Sequence, residues 1–213
     1  MYTTILFDLD GTITNSEEGI IRSVEYALQK SGIKEYERSS LLRFIGPPLR
    51  QSFQEYFDMT PEQAAQATAF YRERYAPIGK FECTLYLGIA QLLQKLHHSG
   101  RKVVLATSKP ENFAREILDH FSLTGYFTLI GGALLDGSRD TKESVLRYIL
   151  DTGIVTGDAV MIGDTRFDME GAAAVGLPAI GVAYGFGSRK ELTEGGAVAI
   201  ADDVAQLAAL LDA

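Results

Sequence analysis

The stretch Thr3-Thr4-Ile5-Leu6-Phe7-Asp8-Leu9-Asp10-Gly11-Thr12, near the start of the chain, decides the fold. Its apolar run leads directly into Asp8 without polar alternation, which is typical of a strand covered on both faces of a parallel sheet. Asp8 and Asp10 then lie beyond the carboxyl end of the strand, where open α/β sheets bind their ligands. Two carboxylates this close repel each other unless a cation or a phosphoryl-transfer reaction uses them. A simple turn rich in Asp and Gly is the competing interpretation.

The composition indicates a folded globular protein. Of the 213 residues, 46% are apolar and 23% are charged, and no window approaches the ~20 consecutive apolar residues that a membrane span needs. A net charge of −8 without any basic block disfavours nucleic-acid binding. A single cysteine, Cys83, and the absence of a secretory pattern at the N-terminus lead us to expect a cytoplasmic protein.

Two regions of the chain differ in their hydrophobic rhythm. Residues 15–82 show helical periodicity and no convincing strand, whereas from residue 87 onward apolar strands alternate with helices. Such alternation predicts a parallel sheet with right-handed crossovers, to which the first strand also belongs. We therefore predict an α/β fold: a Rossmann-like, three-layer α/β/α core formed by residues 1–14 and 83–213, with an all-helical cap domain inserted at 15–82.

Polar clusters follow the predicted strands or open a helix. They are Asp8/Asp10, Thr107-Ser108-Lys109, Lys142 and Asp164/Asp168. Because parallel strands share a direction, their carboxyl ends meet along one edge of the sheet. Taken singly, Thr107-Ser108 or Asp168 could be a helix N-cap, and Lys142 could be a solvated lysine. An accidental meeting of three carboxylates and a lysine in one pocket is much less probable than any one of these.

Such a pocket suits phosphoryl transfer. Asp8 and Asp164 offer the hard oxygen ligands that Mg²⁺ prefers, and the ion can clamp a phosphoryl oxygen. The Thr107 hydroxyl and the Lys142 ammonium can hold the remaining oxygens. One aspartate can attack phosphorus to form an aspartyl-phosphate, while a second protonates the leaving alkoxide and then activates water.

The motifs resemble, in order, the four motifs of the haloacid dehalogenase superfamily. They are Asp8-Leu9-Asp10-Gly11-Thr12, Thr107, Lys142 and Gly163-Asp164 with Asp168, and the resemblance spans residues 3–201. The helical block is similar to the cap of the phosphoglycolate phosphatase-like branch. Three further segments also look like that branch: Ile45-Gly46-Pro47-Pro48-Leu49, Thr107-Ser108-Lys109-Pro110 and Ala183-Tyr184-Gly185-Phe186-Gly187.

The resemblance implies a role for each of the first motifs. Asp8 is expected to be the nucleophile and a Mg²⁺ ligand, and Asp10 the general acid/base with its main-chain carbonyl also on the metal. Thr107, with Ser108 beside it, is expected to bind the phosphoryl group. Lys142 is expected to stabilise the charge of that group alongside Asp8.

The last motif and the cap carry the remaining expectations. The resemblance implies that Asp164 ligates Mg²⁺ and that Asp168 acts directly or through water. The third motif departs from the frequent Lys-Pro-x-Pro pattern, so Arg139 or Lys109 could compete with Lys142. Within the cap, Arg43 is the candidate for a substrate contact, with surface solvation an equal alternative. Arg50 is the second candidate.

These expectations describe a Mg²⁺-dependent phosphatase that hydrolyses a small phosphorylated metabolite, phosphoglycolate-like or a nucleoside 5′-monophosphate. A pyrophosphatase or a sugar-phosphate mutase would need the same motifs. A phospho-acceptor signalling module is the non-enzyme alternative, although a switch needs neither a lid nor a second acid. We expect no nucleic-acid polymer or membrane as partner, and a monomer or homodimer.

Overall fold

The structure is a computed structural model that describes all 213 residues, Met1 to Ala213. The chain divides into two compact units, one formed by residues 1–15 with 85–213 and the other by residues 16–84. The predicted boundaries lie one residue before the first of these divisions and two residues before the second. None of the helices combines the length and the hydropathy that a bilayer crossing requires.

The larger unit is built on a six-stranded parallel sheet. In chain order, the strands are β1 (Thr4–Phe7), β2 (Thr14–Asn15), β3 (Thr84–Leu85), β4 (Lys102–Pro110), β5 (Leu129–Ala133), β6 (Ala159–Gly163), β7 (Ala179–Val182) and β8 (Ala199–Ala201). Six of these eight strands form the sheet, in the order β5-β4-β1-β6-β7-β8, and every neighbouring pair is parallel. The short strands β2 and β3 pair with each other. The predicted α/β, Rossmann-like fold is confirmed.

In the larger unit, helices alternate with the strands of the sheet. The helices of both units are, in chain order, α1 (Glu17–Lys30), α2 (Leu49–Phe57), α3 (Pro61–Tyr75), α4 (Ile89–His98), α5 (Glu111–His120), α6 (Lys142–Asp151), α7 (Arg166–Ala174), α8 (Arg189–Glu194) and α9 (Val204–Leu210). Short 3₁₀ helices span Arg38–Phe44, Gly79–Phe81 and Thr124–Tyr126. The sequence therefore predicted the order of the main elements.

Strand β1 lies inside the sheet, as its apolar run predicts. Leu6 is level with Val104 of β4 on one side and with Met161 of β6 on the other. On one face of the sheet, Leu6 packs in a cluster with residues of α6 and α7. Its neighbours Ile5 and Phe7 point to the opposite face and are also buried, so both faces of β1 are covered.

The smaller unit is helical, and it contains one of the start signals that the sequence indicates most clearly. Thr60 caps α3 with Pro61 at the first helical position, and the Thr60 hydroxyl and the Gln63 side chain each accept a hydrogen bond from the other residue's backbone N–H. Around Phe44, the rings of Phe53 and Tyr56 make edge-on contacts with centroid separations of 4.9 and 5.5 Å. These contacts pack the 3₁₀ segment against α2.

One strand is displaced from its predicted position. The sequence favours a strand over 126–130, because aromatic residues there have high β-propensity. In the structure this strand, β5, occupies Leu129–Ala133 and includes two glycines. A Cβ on Gly131 would lie 2.7 Å from the Ile149 side chain, and one on Gly132 would lie 2.6 Å from the Glu111 backbone. Close packing of α5 and α6 thus requires glycines within the strand.

The central position of β1 predicts a large effect of truncating Leu6, which is 0% exposed. Leu6→Ala should lower the free energy of unfolding by about 2–5 kcal/mol, because it leaves a cavity in the core. Leu87→Ala is the matched control, since Leu87 is 96% exposed and should change stability by less than about 0.5 kcal/mol. Urea denaturation of both variants provides the comparison, and equal losses would contradict the packing described here.

Candidate active site

Three adjacent strands carry the predicted site residues to one edge of the sheet. Asp8 follows β1, Asp164 follows β6, and Thr107 lies near the end of β4. The backbone N–H of Asp8 donates to the Ile162 carbonyl over 2.9 Å, which extends the β1–β6 pairing to the residue that carries the carboxylate. The convergence predicted from strand direction is therefore present in the structure.

Lys142 occupies the centre of this edge. It is the first residue of α6, and Thr141 caps that helix. Its ammonium donates to the Ala106 carbonyl of β4 and contacts the carboxylates of Asp8 and Asp168, each at 2.7 Å. An ammonium has three donors, so these contacts use its full capacity.

Asp168 has both carboxylate oxygens engaged. Oδ1 lies 2.7 Å from the Lys142 ammonium, while Oδ2 accepts from the backbone N–H and the hydroxyl of Thr165 at 3.0 and 2.9 Å. Thr165 is the N-cap of α7, and Asp168 is the third residue of the helix. The alternative that Asp168 is itself the N-cap is therefore wrong, since the cap lies three residues earlier. The contact of Asp168 with the ammonium orients Lys142.

A group of buried carboxylates fits a cation. One oxygen each of Asp8, Asp164 and Asp168 lies within 4.8 Å of the other two. Asp164 is 0% exposed; its Oδ2 accepts from the Phe186 N–H at 2.7 Å, but its Oδ1 is buried without a hydrogen-bond partner. An unpartnered buried carboxylate oxygen is costly in protein alone, and Mg²⁺ takes oxygen ligands of this kind. The residues present therefore fit the predicted ion.

Burial also perturbs the ionisation of these groups. Loss of solvent raises the pKa of Asp8 to about 6, even though the Lys142 charge opposes the change. The pKa of Asp164 is raised well above its usual value by burial, then by the charges of Asp168 and Asp8. Burial would lower the pKa of Lys142, but the two carboxylates beside it raise it, so this lysine remains charged.

Glycines let the backbone enclose Asp164 closely. A Cβ on Gly11 would lie 2.0 Å from Asp164 Oδ2, and one on Gly185 would lie 2.4 Å from Asp164 Cβ. A Cβ on Gly187 would lie 2.0 Å from the Asp164 backbone oxygen. No side chain fits at these positions, so the loop after β7 and the turn after β1 both close on this carboxylate.

Asp10 is held separately from Asp8. The Lys109 ammonium contacts Oδ1 and Oδ2 of Asp10, each at 2.7 Å. The backbone N–H of Lys109 also donates to the Thr107 hydroxyl oxygen at 3.2 Å, and Ser108 between them is half-buried. The sequence suggests Lys109 only as a competitor of Lys142, although its position two residues beyond Thr107 also puts it at the same sheet edge.

Arg139 does not reach the carboxylates of the site. Its guanidinium donates to the Gly132 carbonyl at 2.8 Å and to Glu111 at 3.0 Å, and it lies over the Tyr148 ring. The arginine therefore anchors the segment between β5 and α6. Lys142, chosen from its spacing to the helix, is the lysine at Asp8.

Arg43 belongs to the helical unit. It is exposed at the end of the 3₁₀ segment, with its guanidinium 4.0 Å from the centroid of the Tyr56 ring. A stacked arginine of this kind keeps its hydrogen-bond donors available. Arg50 is also exposed in this unit.

Sequence comparison assigns the family. Residues 5–182 match the haloacid dehalogenase-like hydrolase family. The chain belongs to this family. A 5′-nucleotidase from Pseudomonas aeruginosa is 45% identical over 192 residues, which cover 90% of this chain and 87% of the relative. Phosphoglycolate phosphatases also match, at 26–30% identity.

Two further comparisons extend the range of named activities. A tyrosine-protein kinase called PtkA from Mycobacterium tuberculosis is 37% identical over 184 residues, which cover 86% of this chain and 62% of the kinase. The crystal structure of a predicted phosphatase from Clostridium acetobutylicum superposes with a TM-score of 0.95 at 46% identity, and the match covers 100% of both chains. The chain is thus a hydrolase by family, with relatives that share most of its length.

The pKa shifts predict how a cation affects stability. Because the pKa values of Asp8 and Asp164 are raised, the native state keeps protons that the unfolded chain releases above about pH 4. The metal-free protein should therefore lose stability as the pH rises from about 4 through about 6. Mg²⁺ should restore stability near neutral pH, as thermal unfolding with and without the ion will show.

Asp164→Asn isolates the carboxylate responsible. The variant replaces a buried carboxyl group by an amide that is neutral at every pH, so its metal-free melting temperature near neutral pH should equal or exceed that of the wild type, while Mg²⁺ should no longer raise it. Asp202→Asn is the control, because this carboxylate pairs with Arg189 at the surface. Equal Mg²⁺ responses in Asp164→Asn and the wild type would rule out Asp164 as a ligand.

Proposed function

We propose that this chain is a Mg²⁺-dependent phosphatase that hydrolyses a small phosphomonoester through an aspartyl-phosphate on Asp8. The observation that carries the proposal is the position of the Asp8 carboxylate. It lies 2.7 Å from the Lys142 ammonium, and one of its oxygens is within 4.8 Å of an oxygen of the buried Asp164, whose Oδ1 has no hydrogen-bond partner. A carboxylate nucleophile that is close both to a fixed ammonium and to a ligand for a second cation suits attack on a phosphate dianion.

The first half-reaction transfers the phosphoryl group to the protein. A carboxylate oxygen of Asp8 attacks phosphorus, and the bond from phosphorus to the leaving oxygen breaks. Asp10 gives its proton to that oxygen, so that an alcohol departs. Thr107 and Lys142 hold the oxygens of the phosphoryl group during transfer, with Ser108 beside them.

The second half-reaction regenerates the enzyme. Water attacks the phosphorus of the aspartyl-phosphate, Asp10 accepts a proton from that water, and inorganic phosphate leaves the restored Asp8 carboxylate. Asp8, Asp164 and the Asp10 main-chain carbonyl would hold Mg²⁺, with Asp168 acting directly or through water. When bound, the ion neutralises the carboxylates and polarises a phosphoryl oxygen.

We place the substrate among small phosphorylated metabolites, phosphoglycolate-like or a nucleoside 5′-monophosphate. The 5′-nucleotidase at 45% identity supports the nucleotide, and the phosphoglycolate phosphatases support the smaller acid. We further propose that the helical unit acts as a cap that selects the substrate, that the enzyme works in the cytoplasm as a monomer or homodimer, and that neither a nucleic-acid polymer nor a membrane is its partner.

Release of inorganic phosphate from a panel of metabolites, with and without Mg²⁺, tests the proposed activity. Asp8→Asn should abolish release, because an amide cannot replace the nucleophilic carboxylate, and thorough chelation should do the same to the wild type. The exposed Asp151, at the end of α6, provides the control variant Asp151→Asn, which should retain full activity.

Each failure in this assay has a defined meaning. Full activity in Asp8→Asn would overturn the nucleophile assignment, and full activity after chelation would overturn the metal requirement. A phosphorylated protein that forms without release of inorganic phosphate would identify a mutase or a phospho-acceptor. Transfer from ATP to a tyrosine-containing peptide would match the relative named as a kinase.

Arg43 is proposed to contact the part of the substrate that is not the phosphoryl group. Arg43→Ala should therefore change the ranking of kcat/KM across the metabolite panel more than it changes turnover of a generic aryl phosphate. Arg38→Ala is the control in the same 3₁₀ segment, because Arg38 is bound at the surface by Glu18 and Glu25. Equal losses on all substrates would assign Arg43 a structural role.

A further inference from the structure

Lys109 and Asp10 form a second ion pair in the site, apart from the pair that Lys142 makes with Asp8. The Lys109 ammonium lies 2.7 Å from both oxygens of Asp10, and the two side chains are only 4% and 14% exposed. A solvated ion pair at a surface orients its partners little, because water and side-chain entropy compete with it. A pair this enclosed, with both carboxylate oxygens on one donor, fixes the carboxylate plane.

The same short segment of β4 reaches two functional groups. The Lys109 side chain extends to Asp10, while its backbone N–H donates to the Thr107 hydroxyl oxygen at 3.2 Å. That hydrogen bond occupies an acceptor site on Thr107 and leaves the hydroxyl proton available to a phosphoryl oxygen. The position of residue 109 thus links the proposed phosphoryl-binding hydroxyl to the proposed proton donor.

We propose that Lys109 is the positioning residue for Asp10. It holds the carboxyl group of Asp10 in the orientation in which Asp10 gives a proton to the leaving oxygen and later accepts a proton from water. The inference rests on the proposed phosphatase reaction and assigns to Lys109 a part that is distinct from that of Lys142. Proton transfer by a placed side chain contributes about 10²- to 10⁴-fold, and it requires hydrogen-bond geometry. Loss of the ammonium leaves Asp10 free to rotate away from that geometry.

The leaving group provides the first readout. A 4-nitrophenolate leaving group departs without a proton, whereas an alkoxide needs one. Lys109→Met should therefore lower kcat/KM for an alkyl phosphate by about 10- to 100-fold and lower kcat/KM for 4-nitrophenyl phosphate by less than about 3-fold. KM for the alkyl substrate should change little, because Lys109 is assigned to the proton-transfer group.

The control is a lysine at the other end of the same strand. Lys102 also binds through its ammonium, donating to the Ile154 carbonyl at 2.8 Å and to the Thr156 hydroxyl at 2.9 Å. Lys102→Met removes a comparable anchored ammonium from β4 and should leave both substrates unaffected. If Lys102→Met and Lys109→Met give the same losses, or if Lys109→Met lowers kcat/KM equally for both substrates, the proposal fails.

A double-mutant cycle provides the second readout. If Lys109 acts through Asp10, then Lys109→Met should change the residual activity of Asp10→Asn by less than about 2-fold, because the group that it positions is already lost. Losses that multiply would show that Lys109 acts elsewhere, and the proposal would be overturned. Lys109→Arg completes the same cycle if the methionine variant does not fold, and it should recover at least about 10-fold of the loss in kcat for the alkyl phosphate.

The outcome is separable from that of the proposed function. Wild-type release of phosphate and its loss in Asp8→Asn test the reaction itself, without any substitution at Lys109. An active wild type whose Lys109→Met variant retains full turnover of the alkyl phosphate would overturn only the positioning role.

Discussion

The site depends on a buried ammonium shared between two carboxylates. Lys142 begins a helix at the edge of the sheet, and its three donors go to Asp8, to Asp168 and to the Ala106 carbonyl. Each acceptor comes from a different part of the chain, so this one charge ties together β1, β4 and α7. If the ammonium were removed, two buried carboxylates would lose their counter-charge, an arrangement that is strongly unfavourable.

The sequence predicts those parts of the fold that depend on residues close together in the chain. A continuous apolar run is typical of a strand that is covered on both faces of a parallel sheet, and caps such as Thr60 and Thr141 mark the residues at which helices begin. The position of β5 could not be predicted in this way, because Gly131 and Gly132 have low intrinsic strand propensity. They are required by the approach of Ile149 and Glu111, which are distant in the chain.

The members of the candidate site and the place of Lys142 beside Asp8 were predicted, whereas the pairing of Lys109 with Asp10 was not. Strand direction brought Asp8, Thr107 and Asp164 to one edge without any knowledge of distances. Which lysine meets which acid depends on side-chain reach across the sheet, and this is tertiary information. Asp8 with Lys142 and Asp10 with Lys109 resolve a repulsion that the sequence alone showed only as two neighbouring like charges.

The two ion pairs also leave the centre with less positive than negative charge, which bears on the order in which the proposed ligands bind. Counted formally, the four carboxyl groups of Asp8, Asp10, Asp164 and Asp168 face two ammonium groups, which leaves an excess of two negative charges. A phosphate dianion that approaches this centre alone is repelled, whereas one divalent cation cancels the excess. For the proposed reaction we therefore expect ordered binding: the cation binds first or together with the substrate, because the anion is repelled until the local charge has been neutralised.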